Sequence, residues 1–278
     1  MHVGVAGDCS SLVGITLEID MKPKKRQDEI ISLLRAVQRE LTVEEIASSY
    51  KTSPLTIRRD LDVLAEQGSI LRTYGGCMLR GGLATSYQKR VGQNFNLKRA
   101  IGREAAQLVR SGEVILIDDG STTFHLASNL ETRGPLTVVT NSIAVIPELA
   151  RFPQIQLEIL GGFYNRDTNF LGGSLSERLL ELLYFDAVFV GADAVDEDGM
   201  CFVRTPEVAR LTQVMLKRAT RRFLLADHTK AGRRGYVKYG ALSDFDLWIT
   251  TVGITAKLST IYEKMTTVRA TDGSKQQD

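Results

Sequence analysis

Ser53-Pro54-Leu55-Thr56-Ile57-Arg58-Arg59-Asp60-Leu61 opens with a helix cap and carries two adjacent arginines. A serine hydroxyl at the cap accepts from an early backbone N–H, and proline at the first helical position loses no hydrogen bond. Ile57, Leu61 and Leu64 fall on one face of a helix predicted from Pro54 to Gln67, which Gly68 ends. Leu55, Thr56, Arg58 and Arg59 then face outward. Upstream, Thr42 and Glu45 have capping-box spacing ahead of a short helix from Val43 to Tyr50, and Lys51-Thr52-Ser53 forms the turn. Before that, Ile30, Leu33, Leu34 and Val37 mark an amphipathic helix from Lys24 to Arg39. Downstream, residues 69–74 alternate as a strand and Gly75-Gly76 signals a turn. Three helices, a tight turn and a hairpin make a winged helix-turn-helix.

In that motif the start of the last helix enters the major groove, where arginine bonds guanine bidentately and Thr or Leu methyl groups touch thymine. Ser53, Leu55, Thr56, Arg58 and Arg59 are therefore the candidate base-facing set. Lys24, Lys25, Arg26 and the wing residues Arg72 and Tyr74 suit phosphate contact. A bare Arg-Arg pair is ordinarily a solvated helix face, and either arginine is open to pairing with Asp60 or Asp62. The surrounding pattern favours double-stranded DNA.

The 278 residues, 43% hydrophobic and 24% charged, match a globular chain and exclude disorder or a disulfide miniprotein. At roughly 150 residues per domain the length suggests two domains. The net charge of +2 predicts no partner, but it is uneven. Residues 1–21 carry Asp8, Glu18 and Asp20 and no Lys or Arg, whereas residues 22–80 hold eleven basic and eight acidic side chains. Since the first helix begins just after Met21, residues 1–21 read as a disordered leader or a misassigned start; without those three acids the balance is +5. Cys9, Cys77 and Cys201 are too scattered for metal ligation or a disulfide framework, so free thiols in the cytoplasm are expected. No apolar run approaches the ~20 residues that cross a bilayer.

Residues 79–96 read as a linker and 97–268 as a second domain, with a disordered tail from 269. Strand candidates at 114–117, 136–139, 155–160, 187–190, 223–226 and 247–249 alternate with helical patterns at 98–109, 175–184 and 206–220. This predicts an α/β domain with a mostly parallel sheet, whose ligands bind at the carboxyl ends of its strands. Five predicted strand ends are polar or small: Asp118 through Thr123, Thr140-Asn141-Ser142, Gly161-Gly162, Gly191 through Asp193, and Asp227 through Lys230. Gly120-Ser121-Thr122-Thr123 suits a phosphate, although Ser121 or Thr122 equally suits a plain helix cap. Convergence of five ends favours a site. Asp118, Asp193 and Asp227 serve as sugar-hydroxyl acceptors or as caps, and Lys230 as an anion's countercharge or a solvated side chain. His125 reads as structural; His228 has no evident partner.

These motifs resemble the DeoR/GlpR family of bacterial transcription regulators over about residues 24–250. They are Thr56-Ile57-Arg58-Arg59-Asp60-Leu61, Glu66-Gln67-Gly68, Arg72-Thr73-Tyr74-Gly75-Gly76, Asp118-Asp119-Gly120-Ser121-Thr122-Thr123, Thr140-Asn141-Ser142, Leu160-Gly161-Gly162 and Ala226-Asp227-His228-Thr229-Lys230. The resemblance implies a sensor domain similar to ribose-5-phosphate isomerase. It also implies repression of sugar or polyol catabolism genes and a phosphorylated-sugar effector. It places DNA reading on Thr56, Arg58 and Arg59, and the effector on Gly120, Ser121, Thr122, Thr123, Asp193 and Lys230. Asp119 and Thr251 depart from the family pattern, which usually has a small residue and an Asp there. A homo-oligomer, dimer or tetramer, is expected on a symmetric operator; no cofactor, metal or catalytic residue is. The alternative is a sugar-phosphate isomerase with an appended DNA-binding domain, using Asp118, Asp193 or Glu207 as its base.

Overall fold

The computed structural model describes residues 22–37, 40–73, 75–79, 86–131 and 133–272. The expectations for the leader, and Tyr74, lie outside those residues. The chain divides between Leu83 and Ala84 into two compact units.

The first unit contains α1 (Pro23–Val37), β1 (Leu41–Thr42), α2 (Val43–Ser49), α3 (Pro54–Glu66), β2 (Ile70–Arg72) and β3 (Gly76–Leu79). Both caps form as the spacing requires. Thr42 and Glu45 exchange bonds of 2.7 and 3.1 Å, and Thr56 N donates to Ser53 Oγ at 3.1 Å. Ile30, Leu34, Ile46, Ile57, Leu61 and Ile70 close the core, each 2% exposed or less. The wing pairs β2 with β3 antiparallel, Leu71 opposite Met78, and β1 adds to β3. Gly76 is required there, because a Cβ would lie 1.8 Å from Leu41 O.

The second unit opens with α4 (Ser86–Gly92), α5 (Phe95–Ala106), β4 (Val114–Ile117), α6 (Thr123–Ala127), β5 (Leu136–Thr140), α7 (Ile146–Leu149) and β6 (Ile155–Ile159). It continues with β7 (Phe163–Asn165), β8 (Phe170–Gly172), α8 (Ser174–Glu181), β9 (Phe185–Gly191), β10 (Ala194–Val195), β11 (Met200–Val203) and α9 (Pro206–Lys217). β12 (Ala219–Leu225), β13 (Val237–Ala241), β14 (Leu247–Thr251), α10 (Ala256–Tyr262) and β15 (Thr267–Thr271) complete it. Seven strands form one sheet in the order β15-β14-β12-β9-β4-β5-β6, parallel throughout. Val188, Phe189 and Val190 are all fully buried. A central parallel strand covered on both faces reads as such a continuous apolar run. β10-β11-β13 and β7-β8 are small antiparallel sheets beside it.

From β4 the chain builds outward through β5 and β6; from β9 it builds the other way through β12, β14 and β15. The order therefore reverses between β4 and β9, and in open parallel sheets the crevice at such a reversal is the ligand site.

Two boundaries differ from expectation. Residues 86–92, read as linker, form α4, because Tyr87 and Val91 lie four apart and are both buried, and Tyr87 N donates to Asp167 O at 2.8 Å. Residues 267–271, overlapping the expected tail, pair with β14 from Leu247↔Thr267 to Thr251↔Thr271. Thr267-Val268-Arg269-Ala270-Thr271 is a polar edge strand with too little apolar signal to stand out. Residues 273–278 lie outside those described.

Candidate functional site

At the β4/β9 reversal lies a cavity of ≈ 380 Å³. Its wall takes Asp118, Asp119, Gly120, Ser121 and Thr122 from the end of β4, and Gly191, Ala192 and Asp193 from the end of β9. Gly120 and Gly191 face each other, so that a Cβ on either would lie within 4 Å of the other's Cα. Tyr239 Oη donates to Gly191 O at 2.9 Å and fixes that turn.

The charges are arranged in like pairs. Lys98 of α5, only 3% exposed, and Lys230 share the wall. Lys98 Nζ donates to Arg90 O, and burial, reinforced by Lys230, brings its pKa down to about 7. Arg90 also lines the cavity, its pKa lowered by burial. Asp118 and Asp119 are both buried. Burial raises the Asp118 carboxyl, which accepts from Asn141 Nδ2 at 2.9 Å. Asp119 lies well above the ordinary carboxylate range, first through burial and then through Asp118, with Arg90 drawing it back. Two carboxyls this close oppose each other's ionisation. Arg204 Nε stands 3.4 Å from Asp193 Oδ1 at the exposed rim. Among the described residues no His, Cys, Asp and Glu group could hold a metal ion.

In the first unit, α3 presents Leu55, 56% exposed, with Arg58 and Arg59 also exposed. Arg58 Nη2 lies 3.8 Å from Glu44 Oε1. Thr56 Oγ1 is 2.8 Å from Ser53 Oγ, so its hydroxyl serves the cap.

A model described as the DeoR C terminal sensor domain matches residues 93–251, and one described as a DeoR-like helix-turn-helix domain matches residues 26–80. The chain belongs to the DeoR family of transcriptional regulators. It is 32% identical over 232 residues to the HTH-type transcriptional regulator GlpR of Haloferax volcanii, covering 83% of this chain and 90% of that protein. It is 30% identical over 231 residues to the glycerol-3-phosphate regulon repressor of Escherichia coli strain K12, covering 81% and 90%. Among solved structures, ribose 5-phosphate isomerase from Methanocaldococcus jannaschii matches with 21% identity and a TM-score of 0.38, over 50% of this chain and 55% of that one.

Several DeoR motif residues hold the cavity from behind and stay off its wall. Thr123 Oγ1 donates to Asp118 O and Gly120 O at 2.6 Å, and Thr140 Oγ1 to Ile117 O at 2.7 Å. The Asn141 side chain donates to Asp118 and its backbone carbonyl accepts from Leu171 N, and Ser142 N donates to Thr140 Oγ1 at 3.0 Å. Gly161 O accepts from Ser176 Oγ, and a Cβ on Gly162 would lie 2.2 Å from Gly172 O, so Gly162 serves close packing. Asp227 Oδ1 accepts from Thr229 N at 3.0 Å, a cap for the turn that carries Lys230. Of the five expected strand ends, those of β4, β9 and β12 line the cavity; the end of β11 and Phe163, Asn165, Thr168 and Phe170 of the β7/β8 hairpin complete the wall.

On the DeoR helix-turn-helix, Arg26 and Arg72 are structural. Arg26 is 9% and Arg72 6% exposed. Arg26 Nε donates to Asp60 Oδ2 at 2.5 Å, and Arg72 Nε lies 3.3 Å from Asp62 Oδ1. Asp60 and Asp62 therefore pair with these two arginines, and the surface pairing left open for Arg58 goes to Glu44. His228 does have a partner: its Nδ1 lies 2.8 Å from the Oγ1 of buried Thr251. His125 is buried edge-on between Phe95 and Phe124, its pKa brought down to about 3 by burial, and is neutral at neutral pH.

The sequence reading missed Arg90, Asn94, Lys98 and Arg204. Lys98 left a usable signal: it lies three residues before buried Ile101 and seven before buried Ala105, on the apolar face of α5. A lysine there is enclosed, and enclosed lysines are rare unless something charged is to meet them.

Proposed function

We propose that this DeoR-family regulator is a cytoplasmic repressor of a sugar or polyol catabolic operon, reading operator DNA with the start of α3 and sensing a phosphorylated sugar in the β4/β9 cavity. The observation that carries this reading is the enclosed Lys98 beside Lys230 on the wall formed by Gly120-Ser121-Thr122. Two mutually repelling cations near a loop of hydroxyls suit a phosphate dianion. Asp118, Asp193 and Lys230 would hold the sugar and its phosphate, and Lys24, Leu55, Arg58 and Arg59 the DNA. A symmetric operator calls for at least a homodimer.

The isomerase alternative is disfavoured by the state of its candidate bases. Asp118 is tied to Asn141, Asp193 pairs with Arg204, and exposed Glu207 sits in the first turn of α9. None stands ready to shuttle a proton between adjacent carbons.

Thermal shift against a panel of sugar phosphates, followed by mobility shift on the protein's own promoter with and without each hit, tests the proposal. A ligand that raises the melting temperature and changes operator affinity is expected. Turnover of a pentose phosphate together with indifference to promoter DNA would overturn it.

A further inference from the structure

α8 carries more apolar surface than its own unit covers. Ser176 and Leu180 pack inward, while Leu175, Leu179 and Leu182, spaced four and three apart, form a second stripe that faces solvent. An amphipathic helix needs only one such stripe to dock on its own core. Two residues on, the exposed Tyr184 ring is held beside Arg218, whose Cζ lies 5.1 Å from its centroid and whose Nη1 donates to Tyr184 Oη at 2.8 Å. At the start of the helix, Leu175 Cδ2 comes within 3.5 Å of the place a Cβ on Gly161 would take, and Phe163 Cδ1 within 3.1 Å of one on Gly173. The first turn of α8 and the Phe163 ring of β7 therefore form one surface.

Leu175, Leu179, Leu182, Tyr184 and Phe163 range from 36% to 79% exposed. At about 200 Å² for a large side chain they leave roughly 600 Å² of apolar surface in water, the upper end of what a monomer's largest patch shows. Homodimer interfaces are about 65% apolar, so one built on this face would bury roughly 900 Å² a side, against the ~800 Å² a side of a stable complex. The flank is self-complementary as well. Arg178 and Glu181 are exposed beside the stripe, one of each sign, so a two-fold axis can bring Arg178 of one copy toward Glu181 of the other. A membrane surface would call for a basic flank, and this one is balanced.

From the second apolar stripe, its area and its balanced flank, we propose that a second copy of this chain docks on the α8 face, like face on like face about a two-fold axis. This names the surface of the homodimer that the operator reading calls for, and rests on that reading only for the presence of two copies. Phe163 belongs both to this face and to the cavity wall, which sets the interface beside the effector site.

Sedimentation velocity of the full chain without DNA, over a concentration series, tests it. Wild type is expected to dimerise in the micromolar range or below. Leu182→Glu, which enters a two-fold interface twice, is expected to raise the dimer dissociation constant about 100-fold or more, and Leu182→Ala about tenfold. Both variants are checked for a cooperative melt, and should Leu182→Glu fail to fold, Leu182→Ala decides alone. Val252→Glu, at an exposed apolar side chain that follows β14, is expected to change the constant by less than about threefold. A dimer that survives both Leu182 substitutions, or that Val252→Glu weakens equally, overturns the α8 assignment and leaves the homodimer standing. A wild type that stays monomeric throughout overturns the homodimer together with it.

Discussion

Arg26 on α1 donates from Nε to Asp60 on α3 at 2.5 Å, and Gln27 Nε2 reaches the other carboxylate oxygen at 3.0 Å. The two side chains of the ion pair are 10% and 5% exposed, so this is an internal clamp between the first and last helices of the helix-turn-helix. Removing one partner of such a pair leaves the other charged and buried, which costs about 3–5 kcal/mol. Asp60→Ala is expected to weaken the amide hydrogen-exchange protection of α1 and α3 by that order while leaving β9 and β12 unchanged. A loss under ~1 kcal/mol would show that the clamp does not hold the unit together.

The same geometry separates Arg26 and Arg72 from Arg58 and Arg59. Only the latter two project from the start of α3 into solvent. Arg59→Ala is expected to weaken operator binding by about 1–3 kcal/mol and to relax preference at one base position, with the melting temperature nearly unchanged. Lys24→Ala is expected to weaken all sequences alike and to reduce the salt slope by about one. Fluorescence anisotropy on the operator and on a scrambled duplex distinguishes the two; equal losses on both for Arg59→Ala would remove it from base reading.

The helices and strands with strong periodicity were legible in the sequence, since Ile57/Leu61 spacing and the run at 187–190 each admit one placement. Polar edge strand β15 and the seven-residue α4 were not, because neither carries enough apolar residues to signal itself. Strand-end polarity located the cavity but overcounted its wall. The motif residues Thr123, Thr140 and Asn141 spend their hydrogen bonds on the β4 loop itself, and sequence spacing does not tell a ligand contact from the group that holds it. Arg26 was misread for the converse reason: in a Lys-Lys-Arg run, nothing local shows that the third residue faces Asp60 across α3.

Asp119 bears on stability. Its folded pKa is raised, so between the unfolded value near 4 and the folded value the native state holds more protons, and stability falls as pH rises through that window. Asp119→Asn removes this penalty and is expected to raise the ligand-free melting temperature at pH 7 by several degrees. The gain shrinks toward pH 4. A variant that melts lower than wild type at pH 7 would show the carboxyl to be a net stabiliser.

Lys98 has the opposite linkage. Its folded pKa of about 7 is below the ordinary 10.5, so from about pH 7 upward the unfolded chain holds the extra proton and stability rises with pH. At most one proton is involved, worth about 1.4 kcal/mol per pH unit. Wild type is therefore expected to gain about 2–3 kcal/mol on Lys98→Met between pH 7 and pH 9, whatever the loss of the bond to Arg90 O costs at each pH. A phosphorylated ligand inverts this balance, because its dianion favours the charged amine and pulls the Lys98 pKa back up. Binding at pH 8 should then take up a proton, approaching one per site. Titration in buffers of different ionisation enthalpy measures it directly. Uptake that persists undiminished in Lys98→Met would assign the proton to another group and separate Lys98 from the phosphate.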